Sequence, residues 1–114
     1  MQCTVGGAVG KDGLNEYKQH GYVPYDAGGG DNAVSRSLDF GFADFATANA
    51  FRVFADLPEF SSLKSKLISD AQELENRAHR SYKSLFDSSS GLMYTKDKSG
   101  RARGRINPIE WGKG

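Results

Sequence analysis

Residues 35–55, SRSLDFGFADFATANAFRVFA, constrain this chain more than any other stretch. Leu38, Phe42, Phe45, Ala46, Asn49 and Val53 recur at helical spacing and form one stripe. Phe40, Phe51 and Phe54 fall off that stripe. A helix that is apolar on more than one face is packed on several sides. That is hard to satisfy within 114 residues. The stretch therefore points to a piece of a larger helical assembly. Ser35 is the expected N-cap.

The flanking segments read as further helices. Residues 12–20 suit a short helix capped by Asp12, with Leu14 and Tyr17 on one face and Gly21 in the left-handed closing position. Residues 21–34 form a loop, in which Pro24 holds Val23 extended and Gly28, Gly29 and Gly30 permit unusual backbone angles. Pro58 breaks the long helix. Residues 61–85 then carry the clearest pattern: Leu63, Leu67, Ala71, Leu74, Ala78, Tyr82 and Leu85 share one face, with Ser61 or Ser62 as the cap. Lys64, Asp70, Glu73, Arg77 and Arg80 are expected on an ordinary solvated face. Beyond Asp87 the period changes. GLMYT reads as a short strand, KDKSG as a turn, RARGRI as a return strand and NPIEWG as turn-rich.

Several chemistries are excluded by spacing. VGGAVGKDG lacks two of the positions a phosphate loop requires, since Val5 and Asp12 stand where Gly and Ser/Thr belong. The glycines at 28–30 follow a loop rather than a strand, so they form no dinucleotide fingerprint. His20 and His79 lie far apart, Cys3 is alone, and no alternating Asp/Asn calcium loop occurs. No apolar run is long enough to span a membrane. Net charge is +1, so global charge favours neither nucleic acid nor membrane. Lys96, Lys98, Arg101, Arg103 and Arg105 form a local basic cluster near Tyr94 and Trp111. Alternation along a hairpin makes that cluster a solvated edge rather than a nucleic-acid footprint.

Carboxylate pairs would matter for glycoside hydrolysis. Asp39 and Asp44 lie roughly 140° apart around a helix and do not share a pocket. Asp26 and Asp31 sit in the glycine loop, where carboxylates usually bond their own backbone.

Four stretches in order carry a resemblance: EYKQHGYVPYD, VSRSLDFGFADFATA, SYKSLFDSSSGLMYTKDKSG and INPIEWGKG. Together they resemble the catalytic domain of glycoside hydrolase family 92, the calcium-dependent α-mannosidases, over roughly residues 12–114. The likeness implies an all-α fold: part of an (α/α)6 toroid, about three helices with a short β-hairpin-like excursion near the C-terminus. It implies that residues 1–114 are a partial catalytic domain, with the rest of that domain and an N-terminal β-sandwich lying outside. Both ends look cut, although a small complete domain with frayed ends reads similarly.

The implied activity is hydrolysis, with inversion, of terminal α-1,2-linked mannose in glycans such as N-glycans. Ca²⁺ would serve in the full-length parent, with none bound by this fragment, and the parent would be secreted, periplasmic or at the cell surface. Inversion needs an acid and a base about 6.5–9.5 Å apart. In the family the acid is a glutamate just after the Trp-Gly stretch, and this sequence stops at Trp111-Gly112-Lys113-Gly114. No catalytic or metal residue is therefore expected here, and the fragment alone would be inactive. Trp111, Arg36, Tyr22 and Tyr25 are the candidates for touching sugar. Arg36 has the alternative of pinning Asp26, and the tyrosines that of packing over Pro24. The sequence departs from the family at Ala43-Asp44, which replaces an Asp-Asp pair, at Asn107, and at Arg101 to Arg105. Another helical-toroid glycosidase, or a helical carbohydrate-binding domain without catalysis, is the alternative.

Overall fold

The computed structural model describes residues 13–29, 32–104 and 109. Its elements, in chain order, are helix α1 (Leu14–His20), a π-turn (Tyr25–Gly29), helix α2 (Ala33–Ala55), a 3-10 segment (Pro58–Leu63), helix α3 (Lys64–Leu85) and strands β1 (Phe86–Asp87) and β2 (Leu92–Met93). The fold is all-α with a small antiparallel excursion, as the sequence implies.

Helix α1 runs between two glycines. Gly13 precedes it at φ 82° and Gly21 closes it at φ 85°, where its N–H bonds Tyr17 O at 2.8 Å. The left-handed region excludes most side chains. Space excludes them here too: a Cβ on Gly13 would lie 2.8 Å from Val23 Cγ1, and one on Gly21 would lie 2.6 Å from Arg80 Nε. Asp12, the expected cap, lies outside the described residues.

Helices α2 and α3 are antiparallel. Ser37 meets Ser81, Asp44 meets Arg77, and Arg52 meets Glu75, so one helix descends as the other climbs. The face that α2 buries differs from the expected stripe. Ala33, Ser37, Phe40, Gly41, Asp44, Ala48 and Ala55 are buried, while Phe42 is 75% and Val53 63% exposed. The inner face is small and partly polar because two helices pressed together leave little room between them. Phe42 and Phe45 are directed outward. Phe40, off the expected stripe, packs edge-on against Tyr17 at 5.4 Å and joins a core with Val23 and Leu14. Phe54, half exposed, rests on Phe60 at 5.4 Å.

The helix starts also differ from expectation. Helix α2 begins at Ala33, and Ser35 Oγ bonds Asn32 O rather than capping an N–H. Pro58 opens a 3-10 segment that takes up Ser61 and Ser62, so α3 starts only at Lys64. Proline at the first position of such a turn needs no N–H donor.

At the far end, β1 pairs with β2 through Phe86↔Met93 and Asp87↔Leu92. The partner of the GLM strand is therefore FD, ahead of it, not the RARGRI segment. Within the latter, Ala102 forms an isolated bridge to Lys96, while Arg105 and Ile106 lie outside the described residues.

Candidate functional site

Antiparallel α2 and α3 bring the start of one and the end of the other together. The loop at 21–29 and the excursion at 86–104 therefore meet at one end of the pair. They are stitched there by polar contacts. Tyr22 Oη donates to Asp97 O at 2.8 Å, and Tyr25 N–H donates to Lys96 O at 3.0 Å. Asp26 Oδ1 accepts the Lys98 N–H at 3.0 Å. The Arg103 guanidinium lies 5.2 Å from the Tyr25 ring centre, a cation–π distance. On the other side of the loop, Val23 N–H donates to buried Ser37 Oγ at 2.8 Å. Ser37 O in turn accepts Ser81 Oγ.

Two aspartates shape the excursion in the same way. Asp87 accepts Ser89 N–H, Ser89 Oγ and Ser90 Oγ, and Gly91 follows at φ 73°. Asp97 accepts Ser99 N–H, Ser99 Oγ and Arg101 N–H, and Gly100 follows at φ 86°. An Asp-x-Ser turn closed by glycine is thus used twice. Donors to a carboxylate favour its charged form. The Ser90 hydroxyl foremost holds Asp87, and the Ser99 hydroxyl foremost holds Asp97, below the usual carboxylate range. A general acid needs the opposite shift.

Buried charges also lie between the three helices. Asp44 on α2 receives Arg77 Nε at 2.6 Å, Arg77 Nη2 at 3.1 Å and Tyr17 Oη at 3.0 Å. The side chains of Arg77 and Asp44 are only 16% and 11% exposed. Burial foremost, then the Asp44 charge, pushes the Tyr17 phenol well above its ordinary value. The Asp44 hydrogen bonds likewise raise Arg77. Arg77 was expected on a solvated face, but α1 covers it. Both Asp44 oxygens are engaged by Arg77, and Tyr17 adds a donor to one of them.

The structure places the four sugar-contact candidates as follows. Tyr22 is buried with its hydroxyl engaged, and burial pushes its phenol above the ordinary value, against ionisation. Tyr25 is half-buried between the loop and the excursion. Arg36 is partly buried and engaged in the first turn of α2. Trp111 lies outside the described residues. Tyr22 and Tyr25 are brought together, both over the excursion. Reasoning from sequence missed Ser37 and Arg77. The available signal was a serine and an aspartate among small residues on one face of α2.

Among the described residues, no three His, Cys, Asp or Glu side chains gather to hold a metal. No helix among them is long and apolar enough to cross a membrane.

Comparison with known proteins fits this geometry. The family described as glycosyl hydrolase family 92 catalytic domain matches residues 2–114. A solved structure of the family 92 α-mannosidase BT3965 from Bacteroides thetaiotaomicron is similar, with TM-score 0.68 and 30% identity over 90% of this chain. A second structure of that enzyme, in complex with mannoimidazole, gives TM-score 0.66 and 30% identity over 86% of this chain. The chain spans 12% and 11% of those two chains. No curated protein matches the sequence. With the family match running over nearly its whole length, the chain belongs to glycosyl hydrolase family 92 and matches the family's catalytic domain.

Proposed function

We propose that this chain is part of the catalytic domain of an exo-α-mannosidase that removes terminal α-1,2-linked mannose, as found in N-glycans, with inversion and with Ca²⁺ in the full-length enzyme. The observation that carries the reading is the family match over residues 2–114. The similar Bacteroides enzyme is an α-mannosidase with a mannoimidazole complex, which supports a mannoside substrate.

The local chemistry agrees with a supporting role for this part. Asp87 and Asp97 accept hydrogen bonds from their own turns, and Asp44 links α1, α2 and α3, so all three carboxylates serve the architecture. The acid, the base and the calcium ligands come from elsewhere in the enzyme, and the fragment alone is inactive. Its contribution is to hold the loop at 21–29 against the excursion at one rim of the helical ring.

The test uses the full-length polypeptide on α-1,2-mannobiose, with and without a chelator. Release of mannose that stops on chelation and returns with Ca²⁺ is expected. NMR of the first product formed should show β-mannose, the inverted anomer. Cleavage of a glucoside instead, or release of α-mannose first, would overturn the reading.

A further inference from the structure

Helix α1 covers one side of the α2–α3 pair, where Tyr17 meets Phe40 and Asp44. Phe42 stands about 200° around α2 from Phe40, so it points to the other side. A cleft of about 700 Å³ opens there between the two helices. Gly41 and Ala78 form its floor, and Leu38, Phe42, Phe45 and Tyr82 stand around it. At the floor the backbones are close: a Cβ on Gly41 would lie 3.6 Å from Ala78 O. Small residues let the helices approach, and the large ones beside them leave a groove.

The surface itself says what fits it. Phe42 and Phe45 are each more than half exposed, and Leu38 and Tyr82 also reach solvent. Leu38, Phe42, Phe45, Asn49 and Val53 follow at i+4, i+3, i+4 and i+4, which makes a ridge about 22 Å long. The groove beside such a ridge takes the ridge of another helix, of about 15 residues. Glu75, Asn76 and His79 border the cleft on α3, so that helix meets apolar groups at its centre and polar groups at its edge. This chain spans 12% of the similar α-mannosidase's chain. In a polypeptide of that length most residues lie outside these 114 and are tethered to them. A tethered segment faces the cleft at an effective concentration on the order of millimolar, which favours it over a free partner.

We propose that a helix from elsewhere in the same polypeptide lies along the side of the α2–α3 pair that α1 leaves open, with a large apolar side chain seated over Gly41. Helix α2 is then enclosed on three sides, by α1, by α3 and by this helix. The inference rests on the reading of the chain as part of a larger catalytic domain, and not on which glycoside is cleaved.

The test labels thiols in the full-length protein and reads each site by peptide mass. Phe42→Cys and Phe45→Cys should react at least about tenfold more slowly than Ser69→Cys, an exposed α3 position outside the cleft. The difference should persist on dilution. Hydroxyl-radical footprinting of Phe42 and Phe45 in the wild-type protein decides the matter if circular dichroism shows that the variants fail to fold. A smaller difference overturns the inference. So does protection that vanishes on dilution, which would make a second copy the occupant. The readout needs no catalysis: release of mannose from α-1,2-mannobiose by a protein whose Phe42 is unprotected would sink the packing and leave the mannosidase reading standing.

Discussion

Arg77 on α3 grips Asp44 on α2 with two hydrogen bonds, Nε to Oδ2 at 2.6 Å and Nη2 to Oδ1 at 3.1 Å. Tyr17 on α1 adds its hydroxyl to the same carboxylate. One acid thus ties the three helices together. Removing one member of a buried pair leaves the other charge uncompensated, at about 3–5 kcal/mol. Arg77→Met and Asp44→Asn in the full-length protein should each lower the urea midpoint accordingly. The double variant should lose less than the sum of the two, because it leaves no lone charge. Strict additivity would show that the pair is not coupled.

Asp97 makes the excursion sensitive to acid. Its carboxyl is held low, chiefly by the Ser99 hydroxyl, while an unfolded aspartate titrates near about 3.9. Between the two values the unfolded chain binds more protons, so stability rises with pH there. The contribution is complete above the unfolded value and is lost as pH falls through the folded one. Hydrogen exchange of amides 97–103, followed from about pH 5 downward, should show this turn opening earlier than its neighbours. In Asp97→Asn the opening should no longer depend on pH in that range.

Gly21 and Gly91 separate backbone strain from crowding. Both have positive φ, but a Cβ at Gly91 meets nothing within 4 Å, whereas one at Gly21 meets Arg80 Nε at 2.6 Å. Gly91→Ala should cost only the left-handed penalty, roughly 1–2 kcal/mol. Gly21→Ala should cost more, since the Arg80 side chain must also leave its bond to Lys18 O. Chemical denaturation of the two variants side by side measures the difference.

The outward face of α2 predicts the behaviour of the 114-residue chain by itself. Phe42, Phe45 and Val53 are each more than half exposed. Exposed apolar surface of this kind marks an interaction face. The isolated chain should bind a hydrophobic dye and melt without a sharp transition. Phe42→Ser with Phe45→Ser should reduce dye binding. A cooperative melt with no dye uptake would contradict this.

Much of the architecture is legible in the sequence because it depends on local chemistry. Gly21 closes α1, Pro58 ends α2, and the Asp-Ser-Gly turns at 87–91 and 97–100 depend on neighbours a few residues away. The ordered likeness to family 92 likewise needs no coordinates. What the tertiary structure decided is orientation and pairing. Periodicity identifies a helix over 33–55 but cannot say that its small, polar face turns inward with Phe40, and Phe42 and Phe45 outward. That choice depends on how closely α3 approaches. Nor does spacing reveal that Arg77, on a charged stripe, is covered by α1. The contacts from Tyr22 to Asp97 and from Asp26 to Lys98 join residues more than 70 positions apart, so no local signal encodes them. The loop YVPYD is held as a rim because the folded helices bring the excursion to it, and hydrogen bonds form only between groups already brought together.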